Sequence, residues 1–181
     1  DLLDHGTLHV ARFDEGGRGE WIALQAGRHG LTPQRGFADQ ASVLINARGA
    51  ADVVGATRMD RPEWIAVHPV TGEVFVTLTN NSQRGEPGRP GPDAANPRAR
   101  NLFGHIIRWR EDGNDAAASR FQWDFFALAG DPTVPGSETR YPTADADLFG
   151  SPDGLHFDSG GLLWIQTDMS GQLMHKGDMA R

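Results

Sequence analysis

Apolar and polar positions alternate in four separate stretches of this chain, and each stretch turns back on itself at glycine or a polar cluster. Pro62-Glu63-Trp64-Ile65-Ala66-Val67-His68-Pro69 leads through Thr71-Gly72 into Glu73-Val74-Phe75-Val76. Pro152-Asp153-Gly154-Leu155-His156-Phe157-Asp158 leads through Gly160-Gly161 into Leu162-Leu163-Trp164-Ile165. Alternation, a glycine turn and renewed alternation predict a β-hairpin. Both segments open with proline and then a carboxylate, so Glu63 and Asp153 hold equivalent places, 153 − 63 = 90 residues apart. A repeated hairpin that starts with an acid predicts acids arrayed around a shared axis, an arrangement that suits metal.

A second repeat interleaves with the first. Gly6-Thr7-Leu8-His9-Val10-Ala11-Arg12-Phe13 turns into Glu20-Trp21-Ile22-Ala23-Leu24, and Gly104-His105-Ile106-Ile107-Arg108-Trp109 turns into Phe121-Gln122-Trp123-Asp124-Phe125-Phe126. The order is outer hairpin, inner hairpin, outer hairpin, inner hairpin, which suggests β-propeller blades enlarged by insertions. Propellers usually need roughly 4–8 blades, and this chain holds enough strands for about two. It starts without methionine, halfway through a blade. The expected fold is all-β: a partial propeller domain over residues 1–181, a fragment of a larger one. Its terminal half-blades, residues 6–24 and 151–168, would then present unpaired backbone edges that invite pairing with another chain.

Between the hairpins, glycine and proline mark residues 25–36 as loop. Residues 37–55 predict a short helical insertion. Phe37, Ala41, Leu44 and Ile45 share one face, Ala50, Ala51, Val53 and Val54 form a further turn or two, and Gly49 separates them. Residues 82–100, with Pro87, Pro90, Pro92 and Pro97, have too few apolar positions to pack alone and predict a long surface loop. Residues 129–147 predict another. The net charge of −7 and the lack of a basic patch argue against nucleic acid and suit cations. The absence of cysteine excludes disulfides and thiolate metal sites within this stretch. No apolar run of about 18 residues exists to span a membrane.

The candidate chemistry centres on Arg61-Pro62-Glu63. Proline biases Arg61 towards extended geometry, and residues two apart on a strand share a face. A carboxylate there binds a hard cation, and a guanidinium beside it grips phosphate bidentately. The same pair also reads as a plain surface ion pair. Asp153 is the second acid of the repeat, or else the Asx residue of a Ser-Pro-Asp-Gly turn. Asp168, at a strand end, is a calcium ligand or a turn cap. Asn80, Asn81 and Asn101 offer amides to calcium or phosphate, or shape turns. Arg98 and Arg100 are candidate phosphate contacts or solvated loop charges. His105 lies in an apolar strand and reads as structural more readily than catalytic. His68 and His156 carry no assigned role, and Asp60 and Asp158 read as turn residues. No phosphate loop, serine elbow or zinc-type histidine spacing occurs.

Met59-Asp60-Arg61-Pro62-Glu63, Thr79-Asn80-Asn81, Asn96-Pro97-Arg98-Ala99-Arg100-Asn101 with Gly104-His105-Ile106, Ser151-Pro152-Asp153-Gly154 and Leu163-Trp164-Ile165-Gln166-Thr167-Asp168 occur in that order. Together with the 4–24 opening and the 37–57 insertion, this resembles the PhoX family of alkaline phosphatases over roughly residues 3–171. The resemblance implies a β-propeller phosphomonoesterase acting on phosphate monoesters, exported by the twin-arginine route to a periplasmic or secreted location. It also implies iron and calcium in the propeller channel. It makes Arg61 a catalytic phosphate contact with Arg98 as a second, Glu63, Asp153 and Asp168 metal ligands, and Asn81 and Asn101 substrate contacts. Metal-assisted hydrolysis, with arginine neutralising the developing charge, is the expected mechanism. Gly154 departs from the asparagine common in the pattern. Further ligands, a cysteine included, would lie upstream, so the isolated stretch is expected to be inactive. Two other readings stay open. One is a calcium-dependent lactonase-like propeller hydrolase, which shares Pro-Asp-Gly with Gly-x-Leu-Trp hairpins. The other is a non-catalytic propeller binding module. Arg61 beside Glu63 separates the first reading from the lactonase, since a lactone needs no phosphate-gripping arginine.

Overall fold

A computed structural model of the chain describes residues 5–135 and 137–169. The start of the expected propeller domain, residues 1–4, and its last residues, 170–181, lie outside the described residues. Each predicted hairpin forms. The outer ones are β1 (His9–Phe13) with β2 (Arg18–Ala23) and β5 (His105–Glu111) with β6 (Arg120–Leu128). The inner ones are β3 (Pro62–Val67) with β4 (Val74–Leu78) and β7 (Pro152–Phe157) with β8 (Leu163–Thr167). Strands β3, β4, β5 and β6 pair in sequence order, all antiparallel, as one four-stranded blade. The β7–β8 hairpin is a separate two-stranded sheet that packs on β3 and β4. The β1–β2 hairpin joins at the β6 edge to make a six-stranded sheet of order β1-β2-β6-β5-β4-β3, so the chain is all-β, one six-stranded sheet with a half-blade hairpin beside it.

Polar turns close the hairpins. The ring Nδ1 of His68 accepts from the backbone N–H groups of Val70 and Thr71, at 3.2 Å each. Asp158 does the same work in the second inner hairpin. Its Oδ1 accepts from Gly160 and Leu162 N–H, and its Oδ2 from the Trp164 indole.

Two apolar layers cover the two faces of the blade. On one face Phe13 of β1 and Trp21 of β2 meet Trp109, Phe121 and Trp123. Phe13 lies edge-on to three of these rings, at centroid separations of 5.1 to 6.4 Å. That is the favoured aromatic geometry. On the other face Phe75, Ile106 and Phe126 meet Leu155, Phe157 and Ile165 of the next hairpin. Trp64, Ile65 and Val67 of β3, and Leu162 and Trp164 at β8, remain more than half exposed.

Several expectations are corrected. The 6–24 hairpin does not present a bare β2 edge: β2 pairs with β6 at Arg18↔Gln122, Gly19↔Phe121 and Glu20↔Arg120. Gly19 permits this approach, since a Cβ there would fall 2.2 Å from the Phe121 ring. Thr57 occupies part of the β1 edge by donating its N–H to the Ala11 carbonyl. In the insertion, α1 (Gln40–Ile45) and α2 (Ala47–Val54) break at Asn46, not at Gly49. The Asn46 side chain caps α2 by accepting the Gly49 N–H, so Gly49 lies inside the helix. Val43 faces the core with Phe37, while Leu44 and Ile45 point outward. The 82–100 segment is not a surface loop throughout, because Arg84, Ala95, Asn96 and Arg98 are buried in it.

Phe121 joins the blade to the β1–β2 hairpin and is 1% exposed. Phe121→Ala is expected to cost about 3–5 kcal/mol, read as a lower denaturant midpoint with unchanged slope.

Candidate functional site

The two inner hairpins share more than their alternation. Each begins with a residue in the left-handed region immediately before proline: Arg61 has φ +53° and Ser151 has φ +51°. This corrects the extended geometry expected of Arg61. Left-handed backbone costs a non-glycine residue roughly 1–2 kcal/mol, and such strain persists only where the surroundings over-determine it. Each strand then carries a β-bulge directly after the proline. Pairing jumps from Pro62↔Leu78 to Ile65↔Val76, and from Pro152↔Thr167 to Leu155↔Ile165. Glu63 and Asp153 both sit in the bulge. The backbone repeats again at the strand ends, where Thr79 N–H donates to the Arg61 carbonyl and Asp168 N–H to the Ser151 carbonyl.

At the first bulge three polar side chains gather at the surface. Arg61 Nη1 donates to Asn80 Oδ1 at 3.0 Å, and Arg61 Nη2 lies 3.7 Å from Glu63 Oε1. Arg61 keeps 57% of its side chain exposed, which leaves guanidinium N–H groups open to a ligand. The backbone turn at Arg61, not an extended strand, brings it beside Glu63.

Directly beneath lies a buried polar cluster built on Asp60, which is fully buried. Its Oδ1 accepts from Asn81 Nδ2 at 2.9 Å and from Arg84 Nε, and its Oδ2 accepts from Asn101 Nδ2 at 2.9 Å. Asp60 N–H donates to Asn96 Oδ1 at 2.9 Å. Arg84 also donates to the Gly91 and Arg58 carbonyls and to Asp93. The Asn101 amide bridges Asp60 to His105 Nδ1, at 3.0 Å, and its oxygen accepts the Gly104 N–H. His105 Nδ1 therefore accepts, and Nε2–H donates to the Ala95 carbonyl at 2.8 Å. Burial, with the Arg98 guanidinium nearby, pushes the His105 pKa down to about 4 despite the Ala95 hydrogen bond. The ring is neutral and structural.

The remaining expected site residues divide. Asn81 and Asn101 each donate their amide Nδ2–H to Asp60, and Asn80 is the amide that meets Arg61. Arg98 is buried too. It donates to the carbonyls of Ala129, Glu138 and Gly104, so its guanidinium braces the 98–138 region where a phosphate contact was expected. Burial lowers its pKa. Arg100 stays exposed, 3.8 Å from Glu86. Asp153 is half-buried and Asp168 exposed. Among the described residues no three His, Cys, Asp or Glu side chains converge to hold a metal ion. The carboxylates are the right donor type for calcium, yet this chain's described residues do not assemble the number a cation needs. Asp60 gave no signal in the sequence beyond its place beside Arg61, because a single polar residue between hairpins reads as a turn.

The family model for alkaline phosphatase PhoX matches residues 1–179. The chain belongs to the PhoX family. A solved structure described as Pseudomonas fluorescens PhoX in complex with vanadate, a transition state analogue, is 50% identical and superposes with a TM-score of 0.89. The match covers 99% of this chain and 32% of that one, so the chain spans about a third of that PhoX structure. No curated protein matches the chain. Among the described residues no helix is long and apolar enough to cross a membrane.

In this PhoX chain Asp60 and Arg84 support the strained step from below. Removing one partner of a buried pair strands the other, at a cost of about 3–5 kcal/mol. Asp60→Ala is expected to destabilise by that much in chemical denaturation. His105 gives a pH signature. The folded ring stays neutral to about pH 4, while an unperturbed histidine protonates near 6.5. Stability is therefore full above pH 6.5 and falls as pH drops towards 4, by about 3 kcal/mol in all. His105→Gln is expected to flatten that slope in denaturant titrations across this window.

Proposed function

We propose that this chain supplies part of the site at which a PhoX-type phosphatase hydrolyses phosphate monoesters. The observation that carries the reading is the exposed Arg61–Asn80–Glu63 cluster on a strained, bulged strand start. It occurs in a chain half identical to a PhoX structure that holds vanadate. Arg61 grips phosphoryl oxygens and offsets the negative charge that develops as the ester bond breaks. Asn80 and Glu63 hold the guanidinium from two sides, so it meets the substrate already oriented. Glu63, Asp153 and Asp168 contribute carboxylate oxygens towards bound cations, calcium and iron in the family reading, with the other ligands supplied from beyond this stretch. Because the described donors are too few for a cation on their own, no chemical step is assigned to a metal here. The same reading places the protein in the periplasm or outside the cell, exported by the twin-arginine route. Arg61 favours this function over a lactonase, whose neutral substrate gives a guanidinium little to bind.

The test uses the full-length protein. Arg61→Ala is expected to lower turnover of a chromogenic phosphate monoester by about 10²–10³-fold. Arg61→Lys is expected to recover only part of it, because an ammonium lacks the planar fork. Glu63→Gln is expected to abolish turnover while the thermal midpoint changes little. Wild-type rates in these variants, or faster turnover of a lactone than of a phosphate ester by the parent, would overturn the reading.

A further inference from the structure

We propose that the Thr77 hydroxyl is a positioning group that fixes Glu63 relative to Asp153, a single atom joining the two acid-bearing bulges; this rests on the reading of the site above. Thr77 lies on β4 and is fully buried. It faces the first bulge, where the ladder pairing is interrupted between Pro62 and Ile65. The Trp64 N–H, on the peptide that follows Glu63, donates to Thr77 Oγ1 at 3.0 Å. The hydroxyl has one hydrogen to give. Two acceptors are in range, the Asp153 carbonyl at 2.7 Å and the Trp64 carbonyl at 3.4 Å. The shorter contact takes it. A continuous relay therefore runs from the Glu63–Trp64 peptide through Thr77 to the Asp153 peptide.

Neighbouring positions set this contact apart. Thr79, on the same face of the strand, donates to the Pro152 carbonyl at 3.0 Å. That bond docks one hairpin on the other, but the Thr79 hydroxyl does not reach the first bulge. In the second hairpin Gln166 takes the place corresponding to Thr77. A Cβ on Gly154 would fall 2.3 Å from Gln166 Oε1, so glycine there makes the room. Among the described residues, the hydroxyl at Thr77 is thus the one side chain that bonds to both bulges. Valine, similar in shape, offers neither an acceptor for Trp64 nor a donor for Asp153.

In the full-length protein, Thr77→Val is expected to lower kcat for a phosphate monoester by about ten- to a hundredfold, since small displacements of site groups are costly. KM should change less. Thr77→Ser keeps the hydroxyl and should restore kcat. Thr79→Val loses one docking bond and should lower the thermal midpoint, by less than Thr77→Val does, with wild-type kcat. If Thr77→Val does not fold, Thr77→Ala gives the same contrast with Thr77→Ser. Equal kcat effects in the Thr77 and Thr79 variants would reduce Thr77 to a docking residue and sink the inference. So would failure of serine to rescue. Glu63→Gln separates the two layers. If it stays active, the reading of the site fails. If it is inactive while Thr77→Val turns over normally, only the positioning role fails.

Discussion

The buried ion pair between Asp60 and Arg84 is the constraint on which the rest of the site depends. Four stretches of chain converge on it: 58–61, 81–84, 91–96 and 101–105. Two charges taken out of water are tolerated only when their hydrogen-bonding capacity is met. Here the Asp60 carboxylate accepts from three side chains, while Arg84 reaches two backbone carbonyls and a second acid. The pair orders a loop segment that has few apolar residues of its own. It replaces a hydrophobic core where the composition cannot supply one. A satisfied polar network of this kind specifies geometry more strictly than apolar packing does, because any shift leaves a buried donor or acceptor unpaired.

That rigidity has a local use. The residues directly after Asp60 and before Asn81 are Arg61 and Asn80, which touch each other at the surface. Arg61 adopts a backbone conformation that neither its own side chain nor the following proline favours. The cluster beneath over-determines it, through bonds to the Arg58 carbonyl, the Asp60 N–H and the Asp60 carboxylate. Stability is thus invested below the surface so that a guanidinium stands pre-oriented above it.

The blade supplies the second layer of order. Its two apolar faces pack against a hairpin on either side, and the inner contact carries the threonine bonds to β7. Packing brings the two inner hairpins together. The hydroxyls then set their register at the bulges, where the regular ladder is interrupted. Hydrophobic burial is non-directional. The finer placement of Glu63 and Asp153 falls to hydrogen bonds.

Much of the fold was legible from alternation alone. All four hairpins and the equivalence of Glu63 with Asp153 follow from period-2 patterning, which local sterics and side-chain burial dictate. The helical insertion was legible in extent. Its break was not, because Gly49 looks like a helix breaker until Asn46 is seen capping its N–H. The left-handed turns at Arg61 and Ser151 were hidden, since proline argues for the opposite, and only the surrounding bonds make that strain affordable. Asn81, Asn101 and Arg98 look like ligand contacts because polar residues in loops usually meet solvent or substrate. Whether such a residue points out or in is decided by what lies beneath it, and here that is Asp60 and a set of backbone carbonyls. The sequence by itself determined the strands, the repeat and the types of side chain at each bulge, because these depend on neighbours a few residues away. The tertiary structure alone decided which polar groups are buried, because that depends on partners 21 to 76 residues distant along the chain, from the Asp60–Asn81 bond to the Thr77–Asp153 bond.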